Sequence, residues 1–332
     1  MDLQYPVTVS RHKLKQAFVS WDALDTFIGE LSNSLYNGAY IDEYQFTKEL
    51  IAGAYKSNQV QIALVDDSGS GMTENLAKEF VTQARTMFLN FQSPSTSYNA
   101  WAKVGGEGKP VTTWANPEDI VFIVRNDIRA FLDVNVLASA FNMDKTELLG
   151  NIITVDNFDM YDDEGTKIFN GSNIVGMLAD KSWFRIKRQD MFLDEFYNAN
   201  NRTWQYYLNL TKMYNYSLFA NAVVFATALP QVDIVTMVAD DDTITVEKGS
   251  TAKVKLITTP YTANYPTITV SSSAEGVATA SISGKEITIT GVNSGNGVDG
   301  TATITATIER IVFIPFLLCF LVSEWLLSGV PV

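Results

Sequence analysis

In the stretch DALDTFIGELSNSLY, the apolar residues Leu24, Phe27, Ile28, Leu31 and Leu35 recur at helical spacing, and Asp22 and Asp25 stand where a helix N-terminus favours acids. After Asn37-Gly38 the pattern resumes through Ile41, Tyr44, Leu50, Ile51 and Tyr55, which predicts one long amphipathic helix bending at the glycine. A polar loop at 66–73, DDSGSGMT, ends in a threonine cap, and Leu76, Phe80, Ala84, Met87, Phe88 and Phe91 mark another helix. Each helix carries an apolar stripe that a sheet or a second helix must cover.

Residues 120–124 form an unbroken apolar run of strand length, 134–141 return to helical spacing, and 152–155 read as a strand. Trp204, Tyr206, Leu208 and Leu210 alternate with polar residues, and AVVFATA at 222–228 follows after a short connection. These two segments are expected to be long neighbouring strands. The fold class of this part is therefore α+β.

At Pro230 the texture changes. Aromatic residues thin out, and alternating runs recur at TITV, AKVKLIT, TITVSS, TASIS, EITITG and TATITATI. Short strands at this spacing predict a separate all-β sandwich beginning near Asp233. Within it, SISGKEITITG at 281–291 reads as a hairpin turning at Gly-Lys. Residues 311–322, IVFIPFLLCFLV, are almost continuously apolar, but twelve residues fall short of a bilayer-spanning helix, which needs ~20. Lengthening the run to Leu327 admits Glu324, so the tail at 309–332 reads as a sticky segment of unclear origin rather than a membrane anchor.

Composition narrows the classes of function. Hydrophobic residues make up 46% of the 332 and charged ones 18%, below the roughly 25% of an average soluble protein, which implies that much of the surface is buried against something, copies of the same chain being one candidate. A net charge of -13 with scattered lysines and arginines argues against a basic groove for nucleic acid. Cys319 is the only cysteine, so no intrachain disulfide forms, and the first twenty residues lack a secretory signal; the chain is expected to be made in the cytosol.

Catalytic chemistry finds little to use. A Ser-His-Asp triad would need His12, the only histidine, which lies between Arg11 and Lys13 near the start of the chain. A cysteine nucleophile would need Cys319 inside the apolar tail. Asp156, Asp159, Asp162, Asp163 and Glu164 are the best carboxylate group for a cation. However, measured from Gly165, a calcium loop would put a ligand where Met160 stands, so a solvated acidic loop is expected instead. KVGGEGKP has Lys103 in place of the first phosphate-loop glycine and Pro110 in place of the hydroxyl residue. The sequons at Asn170, Asn201, Asn209 and Asn215 read as ordinary polar positions. No catalytic, cofactor-binding or metal-binding residue is assigned, no cofactor is implied, and the chain is not expected to be an enzyme.

Three segments carry a family likeness: LKQAFVSWDALDTFIGELSNSLYNGAYIDEYQFTKELI at 14–51, FLDVNVLASAFNMDKTELLGNIITVDNF at 131–158, and the later pair LADKSWFRI and SLFANAVVFATALP. In order and spacing they resemble the major capsid protein family of small phi29-type podoviruses. That resemblance implies a Hong Kong 97-like capsid fold over residues 1–230, with a peripheral domain on a long spine helix and an axial domain around a central sheet. It also implies self-assembly into an icosahedral shell enclosing double-stranded DNA without sequence-specific binding. Scaffolding and portal proteins would be partners, no membrane would be involved, the virion capsid would be the destination, and the host cytoplasm the place of assembly.

Residues 246–308 resemble a bacterial immunoglobulin-like group 2 domain, which would make 233–308 an outward-facing module. Members of the capsid family carry an N-terminal arm and an extended loop before the spine helix. Only a few residues around Gln4-Tyr5-Pro6 precede it here, so both are expected to be missing and the capsid domain to be N-terminally truncated. The competing reading is a bacterial surface or adhesion protein whose immunoglobulin-like module binds a ligand while the apolar tail anchors the chain.

Overall fold

The computed structural model describes residues 1–18, 20–65, 74–104, 108–131, 151–162, 164–292, 300–308 and 330–331. They divide into a first unit of Met1–Tyr55 and Gln59–Leu229, and a second of Lys56–Asn58 and Pro230–Val332. The loop at 66–73, the helix expected at 134–141 and the apolar tail at 311–322 lie outside the described residues.

The first unit opens with β1 (Asp2–Ser10) and a short α1 (Arg11–Ala17), whose Lys13 N–H is capped by the Ser10 side chain. There follow α2 (Trp21–Lys56), β2 (Gln61–Leu64), α3 (Glu74–Phe91), α4 (Trp101–Val104), β3 (Ile120–Arg125), α5 (Asn126–Phe131) and β4 (Ile152–Val155). A small β5 and β6 pair (Met160–Tyr161, Lys167–Phe169) precedes β7 (Ile174–Asp180), β8 (Phe184–Asn198), β9 (Thr203–Tyr216) and β10 (Ala222–Ala226).

A five-stranded mixed sheet in the order β2-β10-β7-β3-β4 forms the centre. Its three inner strands are buried on both faces, which is why β3 and β10 read as unbroken apolar runs. Phe80, Phe88 and Phe91 of α3 cover one face, against Phe122, Val124, Leu178 and Phe225. Ile51, Ala54 and Tyr55 from the end of α2 pack on the other with Ile123, Met177, Val224 and Trp183. Each helix thus finds the sheet its stripe requires.

A second sheet of the same unit, β1-β9-β8, corrects the expected pairing of the segments at 204–210 and 222–228. They are β9 and β10 and lie in different sheets. The neighbours of β9 are β1 and the fifteen-residue β8, whose sequence shows no alternation because it is exposed along almost its whole length.

α2 runs for 36 residues through Gly38 as one long helix. The glycine serves packing: a Cβ at Gly38 would stand 2.8 Å from Cδ1 of the Tyr5 ring, which lies against the helix at this point.

The second unit contains β11 (Thr236–Ala239), β12 (Thr251–Thr259), β13 (Ile268–Ser272), β14 (Ala278–Ser283), β15 (Glu286–Gly291), β16 (Thr301–Ala302) and β17 (Ile304–Ile308). The sheet β11-β12-β15-β14 and the pair β13-β17 contribute to one core, including Val254, Leu256, Ile268, Ile287, Ile289, Ile304 and Ile308. The expected hairpin is β14-β15, with Gly284 at φ +62° in its turn, a conformation that favours glycine. TITV at 243–246 is not a strand, although Val246 reaches the core; the first strand is instead β11, whose single buried side chain, Met237, leaves little alternation to read.

Candidate assembly surface

The sheet β1-β9-β8 presents one face to α2 because its residues alternate. Leu3, Tyr5 and Val7 of β1 stand opposite Leu210, Leu208 and Tyr206 of β9, and together they pack on Leu31, Leu35 and Ala39 of the helix. Polar bonds tie the same elements together. The Tyr5 hydroxyl donates to Asp42 at 2.8 Å, and the nearly buried Lys212 ammonium meets Glu43 at 2.6 Å. Burial and the bond to Asp42 push the Tyr5 hydroxyl far above the ordinary tyrosine range.

One helical turn further along, Lys48 is 3% exposed and reaches Asp156 at 2.7 Å, while the Tyr44 hydroxyl donates to the same carboxylate at 3.0 Å. Burial opposes the Asp156 carboxylate, yet the bonds from Lys48 and Tyr44 outweigh it and hold its pKa below the usual 3.8. A single helix is therefore bonded both to the β1-β9-β8 sheet and to the segment that follows β4.

What this frame leaves outward includes large apolar side chains. On α2, Trp21, Ile28, Tyr36, Tyr40 and Ile41 are exposed, with the rings of Tyr36 and Tyr40 6.5 Å apart. On β8, Met191, Phe192, Leu193 and Phe196 are 41–60% exposed. Isolated exposed hydrophobic residues are ordinary; several of them on one helix and one edge strand make these the candidate assembly surfaces. Of the α2 residues, Ile28 and Ile41 were part of the helical pattern read from the sequence, where they belonged to the stripe expected to be covered, yet they are exposed. The β8 residues had no signal, since a strand exposed on both faces has no period to read.

The residues considered for chemistry are accounted for by structure. His12 is exposed on α1 and makes a hydrogen bond with Gln16 at 3.3 Å. Asp159 accepts from the Gly171 N–H at 2.9 Å and pairs with Lys167 at 2.5 Å, and Asp162 accepts from the N–H groups of Glu164 and Thr166, closing the turn between β5 and β6. Among the described residues no three His, Cys, Asp or Glu side chains are grouped to hold a metal; Asp163 and Cys319 lie outside them. Of the phosphate-loop candidate, Lys103 donates to the Val60 carbonyl at 2.9 Å and the Lys109 carbonyl accepts from Trp101 Nε1 at 3.0 Å, while residues 105–107 lie outside the described set.

Burial lowers the Lys103 ammonium to about 8. Between about pH 8 and 10.5 the unfolded chain binds the proton and the native one does not, so stability of the first unit rises with pH there. Above pH 10 the buried Tyr55 and the half-buried Tyr5, Tyr206 and Tyr214, whose hydroxyls hold their protons above the usual 10.0, reverse the slope. Urea unfolding of the full chain at intervals from pH 7.5 to 11 checks this. The expected midpoint climbs and then falls, and Lys103→Met removes the climb.

The Phi29-like phage major capsid protein family model matches residues 1–226. The chain belongs to this family. It is a family of structural capsid proteins, not of enzymes. The chain is 32% identical over 227 residues to the major capsid protein of Bacillus phage B103, covering 67% of this chain and 45% of that protein. It is 28% identical over 290 residues to the major capsid protein of Bacillus phage GA-1, covering 86% of this chain and 57% of that protein. The chain thus spans about half the length of the curated relatives it matches. Among solved structures, it superposes on a chain of the Staphylococcus phage Andhra capsid with a TM-score of 0.52 at 15% identity, covering 69% of this chain and 70% of that one. The first unit therefore has a phage capsid fold, mixed α+β. Among the described residues no helix is long and apolar enough to cross a membrane.

Proposed function

We propose that the chain is a shell-forming subunit of a tailed bacteriophage head, and that its function is repeated self-association into a closed icosahedral container for double-stranded DNA. The observation that carries this reading is the family match over the whole first unit, together with the exposed apolar residues of α2 and β8. A standard protein interface buries ~1,600 Å² in total, and identical contacts that close on one another turn modest individual affinities into a stable shell. In the Hong Kong 97-like description, α2 is the spine helix, the β1-β9-β8 sheet belongs to the peripheral domain, and the five-stranded sheet is the centre of the axial domain. The virion capsid is the destination and the host cytoplasm the place of assembly, with scaffolding and portal proteins as partners.

The second unit is read as an immunoglobulin-like group 2 sandwich displayed on the outer face. Its two sheets around one core support this, as does the GA-1 relative, whose likeness covers more of the chain than the first unit provides. No observation favours the surface-adhesion alternative.

Sedimentation velocity of the purified full chain over a wide concentration range, with electron microscopy of the fast fraction, tests the reading. Regular oligomers or closed particles are expected, and a chain that stays monomeric throughout would overturn it. The charge of -13 adds an ionic-strength dependence. Repulsion between copies reaches about 30 Å at 0.01 M salt but about 8 Å at 0.15 M, so the yield of fast-sedimenting particles is expected to fall at the lower salt. Equal yields at both would sink the electrostatic account.

A further inference from the structure

We propose that β8 is a self-complementary edge, and that two copies of the chain join through it by antiparallel strand pairing about a two-fold axis near Met191. This inference rests on the self-association reading and names one of its contacts.

β8 is the outer strand of the β1-β9-β8 sheet, and no strand among the described residues pairs with its free side. Edge strands of soluble proteins are usually blunted. The opposite edge is: β1 carries Pro6, which lacks an N–H. β8 has no proline and exposes Met191, Phe192, Leu193 and Phe196, so it bears apolar side chains on both faces.

The register against β9 assigns those faces. Met191, Leu193, Glu195 and Tyr197 lie opposite Leu210, Leu208, Tyr206 and Trp204, on the side that faces α2. Phe192, Asp194 and Phe196 lie opposite Asn209, Tyr207 and Gln205, on the open side. Before the irregularity between Arg188 and Asp190 the parity is inverted, which places Arg185 and Lys187 on the open side and Ile186 and Arg188 on the helix side.

Charge is divided along the same strand. Its first half holds Arg185, Lys187 and Arg188, and its second half Asp190, Asp194 and Glu195. A parallel pairing would set like charges together. The antiparallel pairing sets the basic half of each copy against the acidic half of the other.

With Met191 opposite Met191 and Gln189 carried as the extra residue in both strands, the faces match. Lys187 of one copy stands opposite Asp194 of the other, and Arg185 opposite Phe196, on the open side. Arg188 and Glu195 are diagonal neighbours on the helix side, within reach of their long side chains. In the single chain the Met191 N–H donates to the carboxylate of the preceding residue, Asp190, at 2.8 Å; pairing exchanges that bond for one across the junction. The product is one continuous sheet made of three strands from each copy, without the exposed edge of either.

The test uses the full chain with its single cysteine replaced, Cys319→Ser, and with Met191→Cys added. Under mild oxidation by diamide this chain is expected to form a disulfide-linked dimer, whereas Gln205→Cys, on β9 and away from the edge, is expected to give at least tenfold less. Lys187→Asp or Asp194→Lys alone should weaken the cross-link several-fold, and the two together should restore it. Circular dichroism and the unfolding midpoint establish that each variant is folded. Sedimentation in parallel separates the two ideas. Particles that assemble without a cross-link at residue 191 overturn the β8 contact and leave the shell reading standing. A cross-link indifferent to the charge changes overturns the register. A folded chain that never self-associates overturns both proposals, and a cross-linked dimer with no larger species supports the β8 contact alone.

Discussion

Gly171→Ala is expected to destabilise the first unit by about 3 kcal/mol, the upper end of the usual overpacking cost. A Cβ at Gly171 would lie 2.3 Å from the Phe158 carbonyl oxygen and 2.4 Å from its carbon, atoms of the main chain that cannot rotate aside as a side chain can. Phe158 is itself fully buried on the α2 side of the central sheet, so moving its backbone disturbs that core. The same shift strains the bond from the Gly171 N–H to Asp159, whose carboxylate, against the effect of its burial, is held below the usual 3.8 by Lys167 and by that N–H. Thermal unfolding of the full chain measures the effect, expected as a fall of about 6–12 °C in the transition of the first unit. Gly29 provides the contrast. It lies inside α2, and among the described residues nothing would come within 4 Å of a Cβ added there, so Gly29→Ala is expected to raise stability by about 0.5–1 kcal/mol through helix propensity alone. If both substitutions moved the transition in the same direction, the close approach at Gly171 would not be what requires a glycine there.

Trp183→Ala is expected to cost about 3–5 kcal/mol, the range for removing a large aromatic side chain from a core. Trp183 is fully buried, stacks on Tyr216 at 5.1 Å with 13° between the ring planes, and meets Phe184 edge-on at 4.8 Å. It stands where β7 hands over to β8, and the Asp180 carboxylate caps the short turn there through the Ser182 N–H. The loss should therefore reach beyond the core and loosen the start of the long β8-β9 hairpin. Trp183→Phe keeps an aromatic ring and removes an indole N–H that meets no acceptor among the described residues, so it is expected to cost less than half as much. Urea unfolding by far-ultraviolet circular dichroism compares the two. Hydrogen exchange along residues 184–216 tests the hairpin, with faster exchange expected in the alanine variant only.

The parts of the fold that were legible in the sequence are those where one environment imposes one period. α2 and α3 bury a stripe, and their apolar residues recur accordingly; β3 and β10 are covered on both faces and read as unbroken runs; β12 and β15 bury one face and alternate. The change of texture at Pro230 falls where the second unit resumes.

The family likeness was also carried by local sequence, long enough and in the right order to exceed what a short motif can support. Partner choice among strands was not legible. Alternation in β9 and hydrophobicity in β10 state what each strand buries, yet neither states which strand lies beside it. Gly38 read as a bend point because glycine weakens helices in isolation; the ring of Tyr5, distant in sequence, makes it a packing requirement.

The candidate assembly surface shows the same division most clearly. Composition alone indicated that this chain covers much of its surface with something, since charge was scarce and hydrophobic residues plentiful. Only the tertiary structure marks a candidate place, by leaving β8 at a sheet edge with apolar residues on both faces and opposite charges in its two halves. The physical reason is that periodicity records burial within a chain, whereas an edge is defined by the neighbour that is missing, and that is settled only when all the strands have taken their places.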